Sequence, residues 1–429
     1  MDEQSAIAGQ GHLQKKGNNA ELANRIAFFA SLAGRYPQAV SLAAGLPDES
    51  LFEVEAWPRR IEKFVQYVSE GQPHGSQLAS SFVGQYCRTE GFLCKLLAES
   101  LSRDEERKVL SENIIVTNGC QEALFLTLSA LFKNEESVLY LEDPGYFAPR
   151  ILSEDLPVEV CPVPVGTEGL DLQALESSLR ENQKRGIKCH ALYTIPDYSN
   201  PLGQRMSLET RKALIELSVR FDLMLIEDAT YCALSFDGVF LPTLASLDEH
   251  GLVIHCGSLS KVLAPGLRLG YLLTPDSALG KQVLHRAIQH KSAVNVSASS
   301  LSQAVAGGWL LENDLSLRKI GSRAAARYKQ RCELLKNALA QYMPLSVTWN
   351  DPDGGFFLQL NLPFEFHAAD LEECARNHGV IVLPMTFFSI SGLLSNAVRL
   401  SFSYPPLENL RVGAERFAKF IKIRTEVLE

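Results

Sequence analysis

The sequence predicts an α/β protein: a large domain with a mostly parallel sheet covered by helices, and a smaller α+β domain behind it. Three observations predict this. Between about residues 113 and 300, short apolar runs alternate with amphipathic stretches, the texture of parallel strands buried under crossover helices. Beyond residue 311, a long helical pattern leads into short strand-like runs interleaved with two helices. With 429 residues, 46% hydrophobic and 21% charged, the chain can bury one large core and a second, smaller one.

Residues 1–20 are rich in Gly, Gln, Asn and Lys with little apolar periodicity, and read as a mobile arm. Leu22, Ile26, Phe29 and Leu32 recur at three- and four-residue steps, predicting a helix over 20–33 with one buried face. Residues 39–44 read as extended and end in Gly45-Leu46-Pro47-Asp48, a turn whose glycine allows close backbone approach. Helices follow over 50–112, parted by the Gly-, Pro- and Ser-bearing loop 71–76. Apolar runs bounded by turn residues predict strands at 114–116, 138–141, 158–165, 191–195, 223–227, 252–256 and 267–273. A helical run begins near Ala123. The stretch 311–342, dense in Arg, Lys, Ala and Leu, predicts a long helix joining the domains. Strands at 346–349, 356–360, 380–383 and 397–401, with helices at 370–378 and 407–425, complete the smaller domain.

Composition excludes several functions. The 41 basic and 50 acidic residues give a formal charge of -9, and no dense basic run offers a nucleic-acid face. The longest nearly apolar run, 123–132, is interrupted by Thr127 and Ser129 and falls short of a membrane span, so no membrane partner is expected. Met1-Asp2-Glu3-Gln4 opens acidic and polar without a signal core, which points to the cytoplasm. Nine cysteines without a CxxC pair read as reduced. His285 and His290 do not share a helix face and HExxH is absent, so no metal site is expected.

Four predicted strands release polar residues at their C-terminal ends. These are Glu142-Asp143-Pro144-Gly145-Tyr146, Pro196-Asp197-Tyr198-Ser199-Asn200-Pro201, Glu227-Asp228-Ala229-Thr230-Tyr231 and Ser258-Leu259-Ser260-Lys261. The C-terminal ends of parallel strands open onto one edge, where open α/β sheets bind ligands, so these groups are expected to converge. Ser258, Ser260 and Arg268 surround Lys261 with donors suited to a phosphate beside a reactive amine. A phosphorylated carbonyl compound fits such a site, with the lysine forming its Schiff base. Upstream, Thr117-Asn118-Gly119-Cys120-Gln121-Glu122 joins a strand to a helix and offers free backbone N–H groups as an anion cradle.

Taken together, Gly119-Cys120-Gln121, Tyr146, Asn200-Pro201-x-Gly203, Asp228-x-x-Tyr231, Ser258-x-Ser260-Lys261 with Arg268, and Arg399-Leu400-Ser401-Phe402 resemble the fold type I, class I and II aminotransferases, which use pyridoxal 5′-phosphate. The match runs in order from about Val40 to Phe402. The resemblance implies an aspartate aminotransferase-like fold. It divides the chain into an arm (1–20), a segment joining the small domain and dimer interface (21–60), a large cofactor-binding domain (61–310), and a linking helix with the small domain (311–429). It also implies a role for each residue. Lys261 holds the cofactor as a Schiff base and then carries the proton between Cα and the cofactor, a task helped by a pKa lowered through burial beside a cation. Asp228 pairs with the pyridinium nitrogen so that the ring accepts electrons. Asn200 and Tyr231 hydrogen-bond the ring oxygen, and Tyr146 stacks on the ring. Gly119, Cys120, Gln121, Ser258, Ser260 and Arg268 hold the phosphate. Tyr86, five residues before Gly91, reaches the phosphate of a neighbouring subunit in a homodimer with shared sites. Arg399 clamps the substrate α-carboxylate through its planar fork, with Asn200 and Gly45 beside it.

The chain departs from the family pattern in three places. Cys120 stands where many relatives have Ser or Thr, Leu202 replaces a common Thr, and Pro384-Met385 replaces a common Pro-Gly near the substrate. The last bears on the substrate pocket and not on the cofactor. Tyr86-Cys87-Arg88-Thr89-Glu90-Gly91 and Arg35-Tyr36-Pro37-Gln38-Ala39-Val40-Ser41 look like the subgroup that includes arylglycine (3,5-dihydroxyphenylglycine) transaminases. With Phe387, Phe388 and Tyr404 at a pocket edge, they point to aromatic or bulky amino acids. The resemblance thus implies a transaminase that moves an amino group between an L-amino acid and a 2-oxo acid in two half-reactions. A fold relative performing oxidation, cyclisation or elimination shares the same constellation. A regulator carrying such a domain behind a DNA-binding module is opposed by the acidic balance and the missing basic recognition helix.

Overall fold

The computed structural model describes residues 27–29, 31–70, 81, 83–133, 136–187 and 189–426. The expected arm 1–20, residues Leu22 and Ile26 of the first expected helix, and the loop 71–76 lie outside the described residues.

The strands, in chain order, begin with β1 (Val40–Ser41). They continue with β2 (Ile114–Thr117), β3 (Ser137–Asp143), β4 (Glu159–Gly166), β5 (Gly169–Leu170), β6 (Cys189–Thr194), β7 (Met224–Asp228), β8 (Val253–Ser258) and β9 (Gly270–Leu273). β2 to β9 form one eight-stranded sheet in the order β2-β9-β8-β7-β6-β3-β4-β5. The neighbours from β8 through β4 pair in parallel, whereas β9 runs antiparallel between β2 and β8. The sheet is therefore mixed, with the parallel core that the apolar runs predict. The short β5, which folds back on β4 as a hairpin, was not legible as a strand in the sequence because two residues carry no periodicity.

Alternate residues of each strand enter different cores, as the two-residue repeat of a strand requires. Val138, Tyr140, Leu192, Leu225 and Val253 pack on one face under Leu175 and Leu179 of helix Leu172–Lys184 and Leu214 and Leu217 of helix Leu208–Phe221. Leu139, Leu141, Ala191, Tyr193, Ile226 and Ile254 pack on the other, with Leu124 and Leu128 of helix Cys120–Leu131 and Val283 and Ala287 of helix Ala278–Val294. Burying both faces explains why these strands read as continuous apolar runs.

The smaller sheet contains β10 (Thr348–Trp349), β11 (Phe357–Asn361), β13 (Leu383–Pro384) and β14 (Ala397–Ser401) in the order β10-β11-β14-β13, all antiparallel. Between them in sequence, β12 (Val380–Ile381) pairs in parallel with β1. The single strand predicted over 380–383 is thus two strands in two sheets, and this pairing carries the N-terminal segment to the edge of the small sheet. The helix predicted over 311–342 is likewise divided. One helix, Ser300–Glu312, already spans residue 311, and a second runs over Leu317–Tyr342. Asp314 and Leu315 take left-handed backbone (φ 55° and 54°), and Ser316 Oγ caps the second helix by accepting the Lys319 N–H at 3.0 Å. Among the described residues no helix is long and apolar enough to cross a membrane.

Candidate active site

The four strands with polar C-terminal ends, β3, β6, β7 and β8, lie side by side and parallel, so their ends open on one edge. β2 delivers the Gly119 turn to the same edge, because Thr117 and Ser258 both pair with Gly270 of the antiparallel β9. A cavity of about 410 Å³ opens there. It is lined by Lys261, Asp228, Tyr146, Gly119, Cys120, Gln121, Asn200, Tyr231, Ser258, Ser260, Arg268, Arg399 and Gly45. Of the residues expected to bind the cofactor or the α-carboxylate, Tyr86 alone lies outside it, on the surface and 79% exposed.

Lys261 sits in the turn after β8, with its Nζ donating to the Gly45 carbonyl at 2.9 Å. Burial, reinforced by Arg399 and Arg268 and opposed by Asp228, pushes its pKa down to about 8. A side chain on Gly45 has no room: its Cβ would lie 2.6 Å from Phe357 Cζ. The expected turn glycine therefore admits both the Phe357 ring and the lysine to its backbone.

Asp228, the last residue of β7, is held on both oxygens. Oδ2 accepts from Tyr193 Oη at 2.7 Å, and Oδ1 accepts from Thr230 N at 3.0 Å and Thr230 Oγ1 at 2.5 Å. Cys120 Sγ adds a contact at 3.6 Å. Burial pushes the Tyr193 hydroxyl well above its ordinary pKa, so it remains a donor. Neither Tyr193 nor Thr230 was singled out from the sequence. Thr230 carried a readable signal, because an Asp followed two residues on by a partner N–H is an Asx turn. Tyr193 carried none, being one more apolar residue in a buried strand.

The helix predicted from near Ala123 begins three residues earlier, at Cys120, with Gly119 (φ 82°) as its N-cap. A side-chain carbon on Gly119 would lie 2.9 Å from Arg268 Nη2, which itself donates to the Asn118 carbonyl at 3.4 Å. The strand predicted from 267 starts only at Gly270: a short 3₁₀ turn over Pro265–Leu267 precedes it, and the left-handed backbone of Arg268 (φ 50°) breaks the extended run. Tyr146 Oη accepts a hydrogen bond from Gln121 Nε2, and burial raises its pKa to about 12. Tyr231 lies edge-on to Phe356 and Phe357, with centroids at 5.5 and 5.8 Å.

Arg399, in β14 of the small sheet, is buried at 5% exposure between two aromatic rings, with Phe357 at 4.1 Å and Phe388 at 4.9 Å. Its Nη1 donates to Asn200 Oδ1 and its Nη2 to the Ala43 carbonyl, each at 2.5 Å. Its Nε has no hydrogen-bond partner among the described residues, and burial lowers its pKa to about 10. No carboxylate neutralises it in these contacts, which is the condition of a cation reserved for an anionic ligand. Phe387 and Phe388 line the cavity as expected, but Tyr404 does not. It is 39% exposed, lying in the loop after β14 and not on a strand facing the site.

Of the remaining strand-end acids, Glu142 turns inward to accept from Thr194 Oγ1 at 2.5 Å and Ile195 N at 3.2 Å, and burial pushes it up to about 7. Asp143 accepts the N–H groups of Ile390 and Ser391 at 2.8 and 2.9 Å, tying the Phe388 segment to the large sheet.

A family model described as "Aminotransferase class I and II" matches residues 50–417. The chain belongs to this family. This aminotransferase is 34% identical over 402 residues to a (S)-3,5-dihydroxyphenylglycine transaminase of Amycolatopsis orientalis, covering 92% of this chain and 90% of the relative. Among solved structures, a multiple substrate aminotransferase from Thermococcus profundus superposes with a TM-score of 0.81 at 28% identity, covering 97% of both chains. The α-aminoadipate aminotransferase LysN of Thermus thermophilus, complexed with N-(5′-phosphopyridoxyl)-L-leucine, gives a TM-score of 0.78 at 27% identity, covering 95% of this chain and 98% of LysN. The fold is that of class I and II aminotransferases, and the enzyme uses pyridoxal 5′-phosphate, with an amino acid and a 2-oxo acid as substrates. The cavity fits that cofactor. It combines an amine of lowered pKa, a buried carboxylate fixed on both oxygens, and a helix N-terminus faced by Arg268.

Proposed function

We propose that this aminotransferase takes aromatic or bulky L-amino acids as amino donors. One observation carries this reading: apolar side chains make up much of the wall of the cavity that Arg399 lines. Phe29, Leu46, Phe147, Leu383, Phe387 and Phe388 line it, and the only lysine or arginine side chains among the described lining residues are Lys261, Arg268 and Arg399. With the amine, the phosphate and the α-carboxylate each claiming one of these, none of this chain's described lining residues is left for an acidic substrate side chain. Phe388, 6.0 Å from Phe147, is fixed there through the hydrogen bond of Gly145 N to the Phe388 carbonyl and through Asp143. The arylglycine transaminase relative agrees with this preference.

The residue roles that the family resemblance implies are supported by the same contacts. The bound cofactor supplies a cationic conjugated ring that accepts the electron pair released at Cα. Lys261 would anchor it and would move the proton at Cα, for which an amine near pKa 8 is suited. Asp228 would hold the proton on the ring nitrogen. Tyr146 would pack against the ring, while Asn200 and Tyr231 would donate to its oxygen. Gly119, Cys120 and Gln121 offer backbone N–H groups to the phosphate, joined by Ser258, Ser260 and Arg268. Arg399 binds the α-carboxylate and Asn200 orients it. Tyr86 serves the site of a second copy in a homodimer.

Donor specificity tests the proposal. Mixing the holoenzyme with single amino acids and measuring both the loss of the cofactor's visible absorbance and the oxo acid formed is expected to favour phenylalanine and phenylglycines. Their advantage over alanine and aspartate is about tenfold or more, the worth of burying one aromatic ring. Preference for aspartate or 2-aminoadipate overturns it.

A further inference from the structure

The first turn of helix Cys120–Leu131 carries a carboxylate that anion binding does not explain. Glu122 turns back over the helix start, where its Oε2 accepts the Asn118 N–H at 2.5 Å. The carbonyl of the same Asn118 accepts Arg268 Nη2 at 3.4 Å, so Glu122 and Arg268 grip one residue of the turn from opposite ends. An acidic group here favours the helix N-terminus but repels any phosphate the same N–H groups are to hold. The compensating charge is close by. Lys291, on helix Ala278–Val294, has no solvent exposure, and its Nζ lies 3.0 Å from Glu122 Oε2 and 3.0 Å from Asn295 Oδ1. Asn295 Nδ2 donates to the other Glu122 oxygen. None of the three residues lines the cavity.

We propose that Glu122 and Lys291 are positioning residues for phosphate binding. Glu122 fixes the Asn118-Gly119 turn so that its N–H groups and Arg268 face the phosphate, and Lys291 cancels the repulsion that this carboxylate exerts on the dianion. Asn295 holds the pair in register. The inference rests on the assignment of the cofactor phosphate to this turn.

The test compares wild type, Lys291→Met, Glu122→Gln and the double variant as full-length chains stripped of cofactor. Dissociation constants are measured by visible absorbance for pyridoxal 5′-phosphate and for pyridoxal, which lacks the phosphate. Lys291→Met is expected to weaken pyridoxal 5′-phosphate about tenfold or more, because the carboxylate is left uncompensated. Glu122→Gln, whose amide oxygen still accepts the Asn118 N–H while its repulsion of the phosphate is gone, is expected to bind it at least as tightly as wild type, and the double variant within about threefold of wild type, because there the net charge near the turn is restored. Pyridoxal binding stays constant throughout. Equal weakening of both ligands, or no change in Lys291→Met, overturns the inference. If Lys291→Met fails to fold, weaker phosphate-dependent binding by Glu122→Gln overturns it instead. If wild type itself captures neither ligand, it is the cofactor assignment that fails.

Discussion

Lys261 shows how one side chain's chemistry is set by its surroundings. Desolvation, with Arg399 and Arg268 nearby, holds its amine near pKa 8 although Asp228 pulls the other way. The neutral amine is the nucleophile, so capture of pyridoxal 5′-phosphate by cofactor-free enzyme is expected to accelerate as pH rises and to level off above about 8. Stopped-flow absorbance between pH 6.5 and 9.5 checks this, and a rate still climbing at 9.5 contradicts the burial argument. Lys261→Ala is expected to give no lysine-linked visible absorbance at any pH. At this scale the sequence was most informative about residues whose type is demanded by chemistry, such as Lys261, Asp228 and Arg399. It was silent on Tyr193, whose hydroxyl meets Asp228 only because two neighbouring strands bring them together.

At the scale of elements, β7 and β8 are joined behind the site by a buried ion pair. His255 Nδ1 lies 2.9 Å from Glu227 Oε2, and each side chain is only 1% exposed. Glu227 also accepts the N–H groups of Leu244 and Ala245, pinning the next turn of helix to the sheet. Burial alone would lower the His255 pKa, but the Glu227 hydrogen bond and charge hold it above its ordinary value. Burial would raise Glu227, and its hydrogen bonds with His255 and the backbone hold it below its ordinary value. The histidine's stabilising share is complete below its unfolded pKa, about 6.5, and is lost as pH rises through the raised folded value. The glutamate's share is complete above about 4.3 and is lost as pH falls through its lowered folded value. Hence the urea midpoint of wild type should exceed that of His255→Gln most between about pH 4.5 and 6.5, and the gap should shrink at higher pH. A gap constant up to pH 9 excludes this account. Elements were legible where length and periodicity agreed, as in β14, predicted and observed at 397–401. They were misjudged where a backbone kink intervened, as at Asp314, Leu315 and Arg268, since left-handed backbone at a non-glycine residue leaves no mark in the residue pattern.

For the whole molecule, the proposed dimer makes Tyr86 a residue of its neighbour's site. In one chain it stands 79% exposed and outside the cavity, consistent with service elsewhere. Subunit mixing tests this. Tyr86→Ala and Lys261→Ala proteins are each expected to be weak or inactive. Refolded together in equal amounts, they should regain about a quarter of wild-type activity, because half the dimers are hybrids and each hybrid holds one intact site. No gain on mixing means that Tyr86 serves its own chain or none.

The sequence by itself determined the layered α/β architecture, because burial periodicity acts on residue type, and the family, through its resemblance to class I and II aminotransferases; it also named most of the polar residues that the fold gathers at one cavity. Only the tertiary structure decided that β9 runs antiparallel inside the sheet, that β1 joins β12, and that Phe357 and Phe388 enclose Arg399. It alone revealed the Glu122–Lys291 pair beneath the Gly119 turn. These depend on contacts between segments far apart in the chain, and such contacts are selected by shape and charge in three dimensions and leave no local pattern along it.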